Sequence, residues 1–200
     1  SDLFLHGGLS AKYCELDLDE ITDRAHDELK NYDPQDPGMI EDEFGPIWYR
    51  GLAQDDESER MAMVNAILAR YGAGRIVVGH TPTQGIIWPR FNGKVVQIDV
   101  GMAAYYGGHM GYLELRDGEA IAQYPDGVSL PLPIDDEARM AYLETVIAQD
   151  PDNRYLQARL QTLRSAQGEV ASPIDLTSLS AEEQAELARQ ESWLSPDNCR

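Results

Sequence analysis

The apolar positions of this chain change period several times, and each change marks an element. Leu3-Phe4-Leu5 is a short apolar run that passes into His6-Gly7-Gly8, a strand entering a glycine loop. From Asp17 the residues Leu18, Ile21, Ala25 and Leu29 recur at helical spacing. Asp17 is placed to cap that helix, and Glu20, three residues on, completes a capping box. The helix is predicted to end near Tyr32, ahead of the turn signals Asp33-Pro34 and Asp36-Pro37-Gly38, with His26 on its polar face. Phe44 to Gly51 is too short and too often broken by glycine for a helix and reads as a loop. A second helix, led in by Asp55 to Glu59, carries Met61, Val64, Leu68 and Tyr71 on one face and closes at Gly72.

Strand-type residues follow. Ile76-Val77-Val78 runs into Gly79-His80, and Pro82 stops its continuation. Thr81 to Pro89 reads as a loop, Val95 to Val100 as a strand broken by Gly101, and Tyr105 to His109 as a further loop. Tyr112 to Leu115 and Ala120 to Ala122 form a hairpin across Asp117-Gly118. Pro131-Leu132-Pro133 reads as a linker, after which everything is helical. Met140, Leu143, Val146 and Ile147 make one stripe; Tyr155, Leu156, Leu160 and Leu163 make a second across the turn at Asp150-Pro151-Asp152, an αα-hairpin. A Ser/Pro/Thr stretch precedes a last short helix opened by the capping box Ser180-Ala181-Glu182-Glu183 and ending near Trp193. The order of elements predicts an α/β (α+β) chain with a mixed sheet over residues 1–130 and a helical extension over 131–200, suited to packing or association.

Composition narrows the chemistry. The formal charge of −19, with lysine reduced to Lys12, Lys30 and Lys94, repels a nucleic-acid backbone and makes nucleic acid a poor partner. The same charge repels free phosphate, so phosphate chemistry here needs a metal ion or an arginine. No apolar run reaches the ~18–20 residues of a membrane span. Cys14 and Cys199 form no zinc motif and no disulfide framework; one bridge between them stays open, and with it the compartment, cytoplasmic or periplasmic. The sequence opens at Ser1 with a strand already under way and reads as part of something longer.

His6 and His80 share one grammar: each ends an apolar strand and enters a glycine-containing loop. In open α/β sheets that edge is where ligands bind, and two imidazoles suit zinc, iron or manganese. Two histidines are still short of the three protein ligands a catalytic metal requires. Arg50, between Trp48-Tyr49 and Gly51, is the other candidate, an anion-binding cation presented by packed aromatics in an acidic chain.

These residues carry a family resemblance. His6-Gly7-Gly8-Leu9 is similar to the "HGGL" element of calcineurin-like metallophosphoesterases, and Gly79-His80-Thr81-Pro82 to their later "GHTP" element. Trp48-Tyr49-Arg50-Gly51 and Ile98-Asp99-Val100-Gly101-Met102 resemble the "WYRG" and "IDVGM" segments of the bacterial Shewanella-like phosphatase branch. The resemblance covers residues 1 to about 130 and leaves out the helical tail. It implies a β sandwich flanked by helices around a dinuclear centre of manganese, iron or zinc, with His6 and His80 as metal ligands. It further implies that Arg50 clamps substrate phosphate, that Tyr105 or Tyr106 borders the site, and that a metal-bound hydroxide attacks a phosphomonoester in line. The substrate it implies is a phosphorylated protein or a small phosphoester.

The family's earlier elements, "GDxHG", "GDxxDRG" and "GNHE", are absent from the 200 residues. The chain therefore supplies half of the implied site and calls for an N-terminal half or a complementing chain. Two other readings accompany this one: a dinucleotide polyphosphate hydrolase of the same fold, and a degenerate, non-catalytic interaction module. Half of a sandwich exposes strand edges and an apolar face, so residues 1–200 alone are expected to be insoluble or to need that complement.

Overall fold

The computed structural model describes residues 1–166 and 180–199; the Ser/Pro/Thr stretch lies outside them. In chain order the elements are β1 (Asp2–Leu5), α1 (Leu18–Lys30), α2 (Gly51–Gln54), α3 (Glu57–Tyr71), β2 (Arg75–Val78), β3 (Trp88–Arg90), β4 (Val95–Gln97), β5 (Tyr112–Arg116), β6 (Glu119–Gln123), β7 (Ser129–Pro131), α4 (Asp136–Gln149), α5 (Arg154–Ala166) and α6 (Ala181–Trp193). Four strands form a sheet in the order β1-β2-β4-β3 and three form another in the order β5-β6-β7. The fold class is α+β, as the sequence predicts. The chain divides into two compact units, Ser1–Ile76 with Ala171–Arg200, and Val77–Val170.

In the first unit the local signals act as read. Asp17 accepts from the Glu20 N–H, and the Glu20 carboxylate accepts in return from the Asp17 N–H, so both orphan donors at the start of α1 are satisfied. At the end of α3, Gly72 takes φ 61° and its N–H closes the last turn on Ala69 and Leu68. The buried faces differ from the predicted stripes. Only Ile21 of α1 is buried, while Leu29 is 59% exposed, so the apolar period of α1 covers little core. On α3 the buried residues are Met63, Val64, Ile67 and Leu68; Met61 and Tyr71 lie at the margin of that face. Helix α6 belongs to this unit. Its Trp193 packs edge-on against Phe44 at 5.0 Å and lies 4.0 Å beneath Lys12 Nζ, and Cys199 beyond it is bonded to Cys14.

The second unit has its own core, in which Ile86, Ile87, Trp88, Val96 and Val100 pack with Tyr142, Leu143, Val146 and Leu156 of the αα-hairpin. Two strands here are absent from the sequence reading. Trp88-Pro89-Arg90 pairs antiparallel with β4, Pro89 opposite Val96. Pro89 argued for a loop, but β3 is an edge strand, where a missing N–H costs no ladder bond. Likewise Pro131 ends β7, the edge strand beside β6, inside what reads as a linker. The β5–β6 hairpin forms as read, with Asp117 and Gly118 both at positive φ (53° and 86°), the left-handed pair a tight hairpin turn needs. Tyr142, outside the predicted stripe, donates to the Ile87 carbonyl at 2.7 Å, and the Ile87 N–H donates to Tyr124 Oη at 2.9 Å. Burial pushes both phenols up, Tyr124 to about 12, so they remain neutral hydrogen-bonding groups. Tyr155, predicted on the α5 stripe, is 69% exposed.

Candidate functional site

Two pairs of sequence elements come together, one pair in each unit. In the first, the loop after β1 docks on the Arg50 segment. The N–H groups of Gly7 and Gly8 both donate to the Pro46 carbonyl, at 3.0 and 3.3 Å, and Ser10 Oγ donates to the Phe44 carbonyl at 2.6 Å. A Cβ on Gly7 would stand 2.3 Å from the Ile47 carbonyl oxygen, and one on Gly8 would stand 3.0 Å from that of Tyr49. The two glycines of the His6 loop are therefore required by close backbone approach. His6, the residue after β1, is exposed at the edge of this contact.

This contact yields a direct prediction. Gly7→Ala forces backbone to move and should cost about 1–3 kcal/mol by overpacking, read as a lowered urea midpoint. Gly74→Ala, where a Cβ would meet only the Ser1 carbonyl at 3.8 Å, should leave the midpoint nearly unchanged. Equal midpoints for the two variants would contradict the docking.

Arg50 itself is half-buried at the start of α2. The loop that delivers it is braced on both sides. Trp48 Nε1 donates to the Ile40 carbonyl at 2.8 Å, and Tyr49 is buried, its ring 6.2 Å from Phe44. Upstream, Asp42 accepts from Lys12 and Tyr13, each at 2.5 Å. Burial pushes the Asp42 carboxyl up, but those donors and the Phe44 N–H outweigh it and leave the pKa lowered, so Asp42 stays ionised. Arg50 opens onto a groove of about 620 Å³ bordered by Glu41, Glu43, Trp48, Asp55 and α6. Arg60 in the same groove is held by Asp55 at 3.0 Å and by both oxygens of Glu191 on α6, at 2.8 and 2.9 Å. Nothing in the local pattern of the chain announced this wall, since Arg60 and Glu191 are 131 residues apart.

In the second unit the His80 loop is tied to the end of β4. The Thr83 N–H donates to the Asp99 carbonyl at 2.8 Å and the Gly85 N–H to that of Val100 at 2.9 Å. His80 follows the buried Ile76, Val77 and Val78 by two residues and adopts φ 61°. A side-chain-bearing residue in that region is strained, and such strain clusters at functional positions. Its Nε2 is closed off from solvent.

Beyond Gly101 the chain turns through Ala104–Tyr106, leaving Tyr105 90% and Tyr106 44% exposed with their rings edge to face at 5.0 Å. His109 anchors that loop, its N–H on the Gly101 carbonyl at 3.2 Å and its Nδ1 3.5 Å from Asp150 at the end of α4. The pattern reading gave His109 no role because its partner lies in the helical tail. Among the described residues no group of three or more His, Cys, Asp or Glu is disposed to hold a metal ion, and no helix is long and apolar enough to cross a membrane.

No family model matches the chain. It is 29% identical over 121 residues to an uncharacterised protein of Schizosaccharomyces pombe, covering 58% of this chain and 36% of that one. Its structure is similar to the crystal structure of the cold-active protein-tyrosine phosphatase of a psychrophilic Shewanella species. There the identity is 27%, the match covers 66% of this chain and 40% of that one, and the TM-score is 0.52. A 1.1 Å structure of a cold-active protein tyrosine phosphatase gives 26% identity over 65% of this chain and 39% of that one, with a TM-score of 0.53. The chain thus spans about two-fifths of the solved chains it matches, and what it shares with them is a phosphatase-like α+β fold.

Proposed function

We propose that this chain contributes half of the active site of a metal-dependent phosphomonoester hydrolase acting on phosphorylated protein. Two observations together support the reading. The chain resembles a protein-tyrosine phosphatase in structure at 27% identity, and the segments that carry its candidate residues dock as pairs, His6 loop on Arg50 segment and His80 loop on the end of β4.

In this reading His6 and His80 each serve as a metal ligand, for manganese, iron or zinc, and the remaining ligands come from outside the chain. The donor set fits a metal in kind, though two ligands fall short of a complete site. When bound, the ions supply activation of water and neutralisation of charge on the phosphoryl oxygens. Arg50 supplies what the acidic surface lacks, a planar fork of donors that grips two phosphate oxygens and fixes the phosphorus for in-line attack. The braces on Trp48, Tyr49 and Asp42 steady the segment that presents Arg50. Tyr105 and Tyr106 border the substrate with exposed aromatic faces.

A substrate panel tests the proposal in the intact protein. Phosphotyrosine peptide should be hydrolysed and dinucleotide tetraphosphate should not. Arg50→Ala should raise KM for the peptide and lower kcat/KM by about 10–100-fold, since a charge-assisted bidentate contact is worth roughly 1.5–3 kcal/mol. Preference for the dinucleotide would move the reading to a dinucleotide polyphosphate hydrolase. No turnover of either substrate, with metal at background by elemental analysis, would leave an interaction module.

A further inference from the structure

We propose that Asn153 is a positioning residue of the candidate site: from the turn of the αα-hairpin it fixes the His80 loop and, through Asp150, the loop that carries Tyr105 and Tyr106. Its catalytic consequence rests on the phosphatase reading; the tie itself does not. Asn153 is 6% exposed and lies between α4 and α5. Its Nδ2 donates to the Gln84 carbonyl at 2.8 Å and to Asp150 Oδ2 at 3.0 Å, which uses both protons of the buried amide. Its Oδ1 accepts from the Leu156 N–H at 3.2 Å and its carbonyl from the Gln157 N–H at 3.2 Å, so Asn153 also caps the start of α5. The base is firm, because Leu143 and Val146 of α4 and Leu156 of α5 are buried in the core of the unit.

What the side chain holds bears on the site. Gln84 stands four residues beyond His80 and adopts φ 61°, a strained value that persists only where the surroundings fix it. The Thr83 and Gly85 N–H groups on either side are pinned to the Asp99 and Val100 carbonyls, and the bond from Asn153 secures the carbonyl between them. Packing there is close: a Cβ on Gly85 would stand 3.1 Å from Asn153 Nδ2 and 3.0 Å from His109 Nδ1. Asp150 Oδ2, which accepts from Asn153, also lies 3.5 Å from that His109 nitrogen. His109 in turn closes its own loop through its N–H on the Gly101 carbonyl. One buried amide thus stands where the segment after His80, the turn that meets His109 and the start of α5 come together. Asn153 and Asp150 belong to the helical extension, to which the sequence reading assigned packing or association. A misplacement of about 1 Å caused far from the chemistry costs on the order of a hundredfold in rate, so this tie gives the extension a share in catalysis.

Asn, Asp and Ser are near-equivalent helix caps, and variants at Asn153 therefore separate capping from positioning. Asn153→Ser keeps a capping oxygen but is too short to reach Gln84. Asn153→Asp keeps the cap and sets a carboxylate against the Gln84 carbonyl and Asp150. Amide exchange, and kcat and KM for p-nitrophenyl phosphate, are measured on the intact protein well below each melting midpoint. In Asn153→Ser the Thr83 and Gly85 amides should lose protection about five- to tenfold, while Leu156 and the β5–β6 hairpin keep theirs. In the same variant kcat should fall about 10–100-fold with a smaller change in KM. Asn153→Asp should lose more on both counts, and it decides the matter if the serine variant does not fold. Wild-type kcat and wild-type protection at Thr83 and Gly85 in both variants would overturn the proposal, as would protection lost at Leu156 instead. Failure of both variants to fold would make Asn153 a structural residue and overturn it too. A wild-type protein that turns over no phosphoester removes the phosphatase reading, and the exchange of Thr83 and Gly85 then decides the tie alone.

Discussion

Replacing His80 by asparagine in the intact protein is expected to abolish hydrolysis of p-nitrophenyl phosphate and to lower the metal content, while the protein still folds. His80 follows a strand whose three preceding apolar residues are essentially inaccessible, so its backbone is fixed by packing rather than by its own side chain. The price of its φ of 61° has to be met by whatever the imidazole does there. Asparagine tolerates the left-handed region better than alanine does, so His80→Asn removes the imidazole with the least disturbance of the loop. Loss of a residue that merely supports a metal ligand typically costs 10–100-fold; loss of a ligand itself should cost more than about a hundredfold in kcat. His80→Ala should show the same loss of rate and metal with a lower melting midpoint. Wild-type rate and unchanged metal in the asparagine variant would sink the metal-ligand assignment. Loss of rate with full metal content would make His80 a positioning residue instead.

The sequence made the local half of this structure legible. The capping box at Asp17 and Glu20, the Gly72 stop and the Asp117-Gly118 turn are short-range signals, each satisfied by atoms within a few residues of one another. What escaped was set at long range. Pro89 and Pro131 look like breakers until the strand order shows that both stand in edge strands. The stripe on α1 has helical period but little to pack against, because period predicts a face and not its cover. At the candidate site, the placement of His6 and His80 just beyond strands was legible from the pattern alone. The docking of Gly7 against Ile47 was not, since nothing in either segment names the other. The groove beside Arg50 depends on α6, whose ion pair and aromatic contacts join residues more than 130 positions apart.

Reduction of the Cys14–Cys199 bond, or Cys199→Ser, is expected to destabilise the first unit more than any single side-chain change outside the core. The bond joins residues 185 apart and buries both sulfur-bearing side chains, Cys14 at 0% and Cys199 at 6% exposure. Closing so long a loop removes much of the freedom of the unfolded chain, by the chain-entropy relation about 5 kcal/mol, with typical bridges giving 2–4. The bond also completes the wall of the Arg50 groove. With it broken, residues 180–199 would be held by non-covalent contacts, among them Trp193 on Lys12 and Phe44, Glu191 on Arg60 and the buried Leu194. The ion pair, with Arg60 14% and Glu191 51% exposed, contributes on the order of 1 kcal/mol, less than the bridge. Urea unfolding followed by tryptophan fluorescence should show the midpoint falling on addition of reductant, with Cys199→Ser matching the reduced wild type and indifferent to reductant. Limited proteolysis should then cut within residues 180–199 of the reduced protein and spare the oxidised one. Such a bridge persists only under oxidising conditions, so protein isolated without reductant should show no free thiol. Two titratable thiols, or a midpoint indifferent to reductant, would remove the bond as a structural element and leave α6 held by its non-covalent contacts.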